Sequence, residues 1–89
     1  MSEEEILRAA ISTYGAKAQT LMLFEEMSEL MKELCKHARG RDNRREIAEE
    51  IADVRIMLDQ MSMIYDCKME EEAYRMLKIK RLGERLGGK

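Results

Sequence analysis

Apolar residues recur every three or four positions along most of the chain, which is the spacing of amphipathic helices. Strand-like alternation is nearly absent, and no proline interrupts a helix. The fold class predicted is therefore all-α, with one domain over residues 1–89 and four helices. The predicted helices run from Ser2 to near Tyr14 and Gly15, from about Ala16 to Arg39, from about Asn43 to Tyr65, and from Glu70 to about Leu86, before Gly87-Gly88 frays the end.

Capping residues and glycines support these bounds. Ser2 with Glu5, and Asn43 with Glu46, have the spacing of capping boxes at helix starts. Gly40 supplies a left-handed stop after the second helix. Because only a short loop joins the two long helices, we expect them to lie antiparallel as a hairpin core, with the other two helices packed around it.

Each long helix carries one apolar stripe, and the two stripes are predicted to form the core. On a helical wheel of about 100° per residue, each stripe falls within about 40° of one direction. The stripes are Leu23, Met27, Leu30 and Leu34 in the second helix, and Ile47, Ile51, Val54 and Leu58 in the third. Since 89 residues bury little apolar surface alone, we expect a homodimer or homotetramer that buries the stripes in a larger bundle.

Composition excludes several classes of protein. Sixteen Lys and Arg against eighteen Asp and Glu leave a net charge of -2, which lacks the basic excess of a nucleic-acid-binding protein. No apolar run approaches the roughly 18 residues of a membrane span, and the acidic N-terminus is unlike a secretory signal. We therefore expect a cytoplasmic protein with no membrane or nucleic-acid partner. Cys35 and Cys67 are expected to be reduced thiols.

Acidic residues form two pairs with the same offset. Glu26 and Glu29 are three residues apart in the second helix, and Glu50 and Asp53 are three apart in the third. On the wheel, both pairs flank their own stripe on the same side, at about 300° and 240°. In an antiparallel hairpin this geometry makes convergence of the pairs plausible without requiring it.

Like charges also recur four residues apart in both helices. Each such pair destabilises an isolated helix by roughly 0.2–0.5 kcal/mol, and the pairs are Glu25 and Glu29, Glu29 and Glu33, Glu46 and Glu50, and Glu49 and Asp53. Solvated surface acids are the simpler interpretation. Carboxylates concentrated beside an apolar stripe instead favour a divalent cation, and their oxygen ligands select Mg²⁺, Mn²⁺ or Ca²⁺. The single histidine, His37, lacks the Glu-x-x-His spacing of a di-iron bundle.

A family resemblance starts from these acids. Glu25-Glu26-x-x-Glu29, twenty intervening residues and Glu50-x-x-Asp53 resemble the EExxE…ExxD signature of the MazG-like all-α nucleoside triphosphate pyrophosphatases. Tyr14-Gly15, Gln19 and the run from Glu49 to Val54 are similar to that family as well. The resemblance covers residues 14 to 82.

The resemblance implies a Mg²⁺-dependent hydrolase, with Mn²⁺ as a substitute ion. It implies that Glu26, Glu29, Glu50 and Asp53 bind the metal, which holds the triphosphate of a nucleoside triphosphate. The implied products are a nucleoside monophosphate and pyrophosphate, and such enzymes sanitise or regulate nucleotide pools. We expect Glu25 or Glu29 to help take a proton from the attacking water.

The resemblance also suggests substrate contacts. Lys78-x-x-Arg81 is similar to a Lys-x-x-Arg pair that family members carry late in the domain, which makes both residues candidates for phosphate contacts. A solvated basic face is the alternative, and the asparagine that often follows the lysine in relatives is absent here. Tyr14, at a helix junction, and Gln19 are the other candidates for substrate binding.

Two other functions stay open. The second interpretation is a noncatalytic helical interaction module, whose acids only solubilise it or bind a divalent ion structurally. The third interpretation is an antitoxin-like or regulatory adaptor that binds a protein or a nucleic acid. That adaptor needs a basic stripe, and only the fourth helix hints at one.

Overall fold

The computed structural model describes residues 1–87, and within them the regular elements are four helices. These are α1 (Glu3–Tyr14), α2 (Ala16–Ala38), α3 (Arg44–Ile64) and α4 (Lys68–Arg85). The all-α prediction is confirmed for this part of the chain, and each helix end lies within two residues of its predicted position. The predicted fraying at Gly88 falls outside the described residues. No helix among them combines the length and hydropathy needed to cross a membrane.

Local chemistry sets the ends of the first two helices. The Glu5 amide donates to Ser2 Oγ at 3.1 Å and the Ser2 amide donates to Glu5 Oε1 at 2.8 Å, which is the predicted capping box. Gly15 (φ 91°) separates α1 from α2, and Gly40 (φ 99°) follows the end of α2. Side chains disfavour such positive φ angles, so glycine at these two positions lets the chain turn.

Asn43 begins α3 in a different way from the predicted capping box. Its side chain makes no cap hydrogen bond to α3. Its Nδ2 donates instead to the Glu33 carbonyl oxygen at 2.8 Å and to Glu33 Oε1 at 2.9 Å. The predicted box with Glu46 is wrong because the short loop turns this side chain toward α2. Asn43 is only 3% exposed, so the bonds tie the start of α3 to the last turns of α2.

The predicted antiparallel hairpin of α2 and α3 is present, but polar side chains occupy much of its seam. The Gln19 amide Nε2 donates to Gln60 Oε1 at 2.7 Å, and both residues are buried. α1 contacts both long helices and places Leu7 in the small apolar core. Within residues 1–87 the buried apolar side chains are Leu7, Leu23 and Met57.

Within a single copy, the two apolar stripes are not buried in the hairpin. Of the eight stripe residues, Leu23 alone is buried. Four of the others are between 39% and 48% exposed, namely Met27, Leu34, Ile51 and Leu58. Polar residues face the opposite helix instead. At 100° per residue, the direction of the stripe differs from the direction of the seam by roughly 50° on α2 and roughly 110° on α3.

Both stripes turn to the same side of the hairpin. In an antiparallel helix pair, rotation in the same sense about each helix axis moves the two faces toward one side. Accordingly, Leu30 from α2 and Ile51, Val54 and Leu58 from α3 line one groove of about 680 Å³. We call this surface the open face, and its members are Met27, Leu30, Leu34, Ile51, Val54 and Leu58.

The last helix stands apart from the hairpin. Among the described helices α4 contacts only α3, and none of its residues is buried. The turn before it is fixed by a bond from the Cys67 amide to the Ser62 carbonyl at 3.0 Å and by one from Ser62 Oγ to Glu71 Oε1 at 3.1 Å. The prediction that the outer helices pack around the hairpin is confirmed for α1 and wrong for α4, because this turn directs α4 away.

Gln60→Leu is expected to lower the free energy of unfolding by about 1–3 kcal/mol, because the buried Gln19 amide loses its acceptor. Adding Gln19→Leu removes the unpaired donor, so the double variant should recover much of that loss. Urea denaturation followed by circular dichroism measures both effects. A double variant with the summed loss of the two single variants would show that these side chains contribute through shape alone.

Candidate metal centre

Three carboxylates meet in the middle of the hairpin seam. Oxygen atoms of Glu26, Glu50 and Asp53 lie within 4.8 Å of one another, and all three residues are half-buried. Glu50 and Asp53 are one helical turn apart on α3, so they share a face, and Glu26 approaches them from α2. The convergence that the sequence left open therefore occurs for these three acids, which we call the acid cluster.

Hydrogen bonds on both sides of the acid cluster hold the two helices in register. Gln19 and Gln60 pair on one side, seven residues from Glu26 and Asp53 respectively. Glu33 and Asn43 pair on the other side, seven residues from Glu26 and Glu50 respectively. Seven residues are close to two helical turns, so these side chains share the seam. The carboxylates are thereby kept close although they repel one another.

Glu50 lies in surroundings that disfavour its negative charge. Its burial raises the pKa of this carboxyl group, and the charges of Asp53 and Glu29 raise it further. Within the described residues its Oε2 atom is buried without a hydrogen-bond partner. A buried unpaired carboxylate oxygen is costly, and either a proton or a cation relieves that cost.

Glu26 has the same tendency. Burial raises the pKa of Glu26, and a hydrogen bond with Asp53 and the negative charges of Asp53 and Glu50 add to the effect. A raised carboxyl pKa means that the surroundings disfavour the second and third negative charges. The acid cluster therefore favours the binding of a proton or a cation.

The residues of the acid cluster fit a small divalent cation. Their donors are all carboxylate oxygens, which are the ligands that Mg²⁺ and Mn²⁺ prefer. Oxygen ligands of one Mg²⁺ lie no more than about 4.2 Å apart, and the oxygens of the acid cluster all lie within 4.8 Å of one another. Three protein ligands would leave other positions of an octahedral ion to water or to phosphate oxygens.

The remaining two acids of the first motif lie outside the acid cluster. Glu29 is exposed, and its Oε2 is 4.0 Å from Lys32 Nζ. Its charge still contributes to the raised pKa values of Glu26 and Glu50, so it lies beside the acid cluster. Glu25 is exposed on the same helix.

The candidate substrate residues are dispersed in a single copy of the chain. Lys78 and Arg81 are exposed on α4, which contacts neither α1 nor α2. Tyr14 is 66% exposed at the end of α1. Gln19 is 7% exposed and its amide is bound to Gln60. The structure thus brings none of these four side chains to the acid cluster within residues 1–87.

The sequence reasoning missed the residues that frame the acid cluster. Asn43 and Gln60 are 3% exposed, and Glu33 accepts from Asn43 and from Lys36 Nζ, the latter at 3.1 Å. These bonds lower the pKa of Glu33. The sequence signal for these residues is a seven-residue spacing of polar side chains. It relates Gln19, Glu26 and Glu33 on α2, Asn43 to Glu50 at the start of α3, and Asp53 to Gln60 on α3.

Comparisons with known proteins add no family assignment. No protein-family model matches the chain, and no curated protein or solved structure matches it.

Proposed function

We propose that this protein is a MazG-like nucleoside triphosphate pyrophosphohydrolase. It hydrolyses ribo- or deoxyribonucleoside triphosphates with water to a nucleoside monophosphate and pyrophosphate, and so sanitises or regulates a nucleotide pool. The observation that carries the proposal is the meeting of Glu26, Glu50 and Asp53 around the unpaired Oε2 of Glu50. The spacing of these acids in the sequence, which resembles the MazG signature, supports the same conclusion.

Glu26, Glu50 and Asp53 are the residues that would hold Mg²⁺. When bound there, Mg²⁺ would neutralise charge on the phosphate oxygens, lower the pKa of a bound water and orient that water for attack at the α-phosphorus. The half-buried seam reduces the access of bulk water to these carboxylates, which strengthens their hold on a cation. The reaction needs no protein nucleophile.

Glu29 is the best placed acceptor for the proton of the attacking water. It lies beside the acid cluster, it is exposed, and its contact with Lys32 is long at 4.0 Å. Its carboxylate oxygens are therefore accessible to a water bound at the acid cluster. Glu25, next to Glu26 in the chain, is the second candidate for this role.

Lys78 and Arg81 are assigned in this proposal to the leaving pyrophosphate. Their positive charges suit a group with developing negative charge. Because α4 does not reach the acid cluster of its own copy, this role requires a homo-oligomer in which α4 approaches another copy. Tyr14, which is exposed, remains a candidate for contact with the nucleoside, whereas the buried Gln19 is already bound to Gln60.

A noncatalytic interaction module with a structural divalent-ion site is the second candidate function. The wide open face, which is typical of a surface that binds another protein, favours it. This candidate also requires a cation at the acid cluster, but it predicts no turnover of nucleotides.

Product analysis distinguishes the two candidates. The protein is incubated with a panel of ribo- and deoxyribonucleoside triphosphates in Mg²⁺, and the products are separated by anion exchange. The proposed enzyme should release monophosphate and pyrophosphate, and EDTA should abolish the reaction. Diphosphate and phosphate as products would contradict the proposed bond cleavage.

Metal binding is measured separately by the melting temperature with and without Mg²⁺ or Mn²⁺. A ligand at 100 times its dissociation constant adds about 2.7 kcal/mol to the free energy of unfolding. A rise in melting temperature without any nucleotide turnover would favour the noncatalytic module. The absence of both effects in the folded protein would contradict the metal centre itself.

A further inference from the structure

Positive charge is concentrated at the end of the hairpin where α2 passes into α3. Residues 36–45, which we call the basic tip, carry one acid, Asp42, and five basic residues, namely Lys36, Arg39, Arg41, Arg44 and Arg45. The basic tip therefore has a charge of +4, whereas the whole chain has a charge of -2. The net charge, which alone predicts no nucleic-acid partner, hides this local excess. A basic surface of this kind attracts polyanions.

The arginines of the basic tip are accessible to a partner. All four are exposed, and within residues 1–87 none of them forms an ion pair with an acid. Lys36 differs from them, because its Nζ is 3.1 Å from Glu33 Oε2. The basic tip thus presents four guanidinium groups to solvent, and each of these groups has the geometry to donate two parallel hydrogen bonds to a phosphate.

Hydrogen bonds of the loop fix the backbone that carries these arginines. The Gly40 amide donates to the His37 carbonyl oxygen at 2.9 Å. The Arg41 amide donates to the Lys36 carbonyl oxygen at 3.1 Å. Because Asn43 is bonded to α2 and does not cap α3, the amino-terminal dipole of α3 adds partial positive charge to the same surface. Little backbone order is therefore lost when a partner binds here.

The chemistry of the basic tip favours a partner with many phosphate groups. The one apolar residue within residues 36–45 is Ala38, so a protein partner would find no aromatic anchor and a membrane would find no apolar side chain to insert. Phosphates spaced along a nucleic acid satisfy several separated arginines without apolar contact. Phe, Tyr and Trp, which stack on unpaired bases, are absent from these residues. This absence favours a duplex over a single strand.

We propose that the basic tip binds the phosphate backbone of a nucleic-acid duplex. Its four arginines contact phosphates and read no base, so binding is independent of the base sequence. The acid cluster leaves this contact possible, because Glu50 lies seven residues beyond Asn43, about 10 Å along α3. That distance is about one Debye length at 0.1 M salt, so salt weakens the repulsion between the acid cluster and the duplex. This inference concerns a separate surface and does not depend on the reaction proposed above.

The first test measures the binding of a short fluorescent DNA duplex by anisotropy, in EDTA and over a series of NaCl concentrations. Wild type should bind with a dissociation constant between about 10⁻⁶ and 10⁻⁴ M near physiological salt. The logarithm of the binding constant should fall with the logarithm of the salt concentration with a slope of about -3.6, which corresponds to four phosphate contacts. Arg41→Gln/Arg45→Gln should reduce the slope to about -1.8 and raise the dissociation constant at least about 10-fold.

The matched control is Arg75→Gln/Arg85→Gln, which removes the same charge from exposed positions of the other basic segment, α4. It should change the binding of the duplex much less than the substitutions in the basic tip. No binding by wild type, or equal weakening by the two double variants, would overturn the proposal. Binding to phosphatidylglycerol vesicles but not to the duplex would mean that the partner is a lipid surface, which also contradicts the proposal.

The second test uses the wild-type protein and so does not depend on the folding of a variant. Amide chemical shifts of the ¹⁵N-labelled protein are recorded while the same duplex is added in EDTA. The largest changes should occur within residues 39–46, where the arginines and the first turn of α3 lie. If the largest changes occur on α4 instead, the duplex binds the other basic segment and the proposal is overturned.

Discussion

Glu50→Gln is expected to lower kcat at least about 100-fold, the upper end of the effect of losing a group that only supports a metal ligand. Glu50 supplies the oxygen that is buried without a partner, and an amide oxygen at this position binds Mg²⁺ more weakly than a carboxylate. The same substitution should raise the melting temperature of the metal-free protein, because it removes one of three mutually repelling charges from a half-buried site.

A lower activity together with a higher stability of the metal-free protein is expected when the replaced side chain binds the metal. The matched control is Glu49→Gln, which removes the same charge from the neighbouring exposed position and should leave both properties nearly unchanged. Scanning calorimetry in EDTA and product analysis in Mg²⁺ measure the two effects. A Glu50→Gln protein that is less stable without metal and equally active would contradict the metal centre.

The pH dependence of the metal-free protein provides an independent check of the same residues. Because the pKa values of Glu26 and Glu50 are raised, the folded state binds these protons at a higher pH than the unfolded chain. Their contribution therefore makes the metal-free protein more stable as the pH falls toward the ordinary pKa of glutamate, and less stable as the pH rises. Glu50→Gln should reduce this slope.

Asn43→Ala is expected to cost about 2 kcal/mol of unfolding free energy and to lower the melting temperature by about 10 °C. The substitution removes two hydrogen bonds to Glu33, one of which goes to a charged group, in a residue that is 3% exposed. The unpaired buried Oδ1 of Asn43 disappears as well, which offsets part of the loss. Thermal denaturation in EDTA measures the effect, and Asp42→Ala in the same loop is the matched control at an exposed position.

A change in pH dependence separates the hydrogen bond from a general loss of packing. Hydrogen bonds from Asn43 and Lys36 lower the pKa of Glu33, so this carboxylate stabilises the fold above its unfolded pKa and loses that effect as the pH falls through its folded pKa. In Asn43→Ala the loss of stability toward acid pH should be smaller. If the dependence of stability on acid pH is unchanged in the variant, Asn43 contributes to stability through packing alone.

The helices could be predicted from the sequence because their signals are local. A capping box at Ser2, glycines at 15 and 40 and a 3.6-residue period act within a few positions of the chain, and they survive in the structure. The facing of the helices could not be predicted in this way. Apolar stripes normally turn inward, yet here Gln19 and Gln60 pair across the seam and leave Leu58 exposed. That outcome depends on partners 41 residues apart.

The candidate site was predictable in its residue types and only partly in its geometry. Glu29 and Asp53 have the same predicted position on their wheels, but only Asp53 joins the acid cluster. The reason is that the stripe of α3 is turned farther from the seam than the stripe of α2. The wheel position shared by the two acids therefore faces the seam on α3, where Asp53 lies, but not on α2, where Glu29 lies. Lys78 and Arg81 lie away from the site because of the direction of α4. The turn before α4 sets that direction, and the local sequence pattern does not predict it.

The pairing of polar residues along the seam makes the loop of residues 39–43 a part of the site. Sliding α2 along α3 by one turn, about 5.4 Å, would separate Gln19 from Gln60 and Glu26 from Asp53 together. An insertion or deletion in this loop is therefore not a neutral change of a surface segment, although loops normally tolerate such changes. The length of the loop is fixed by carboxylates that lie several turns away from it.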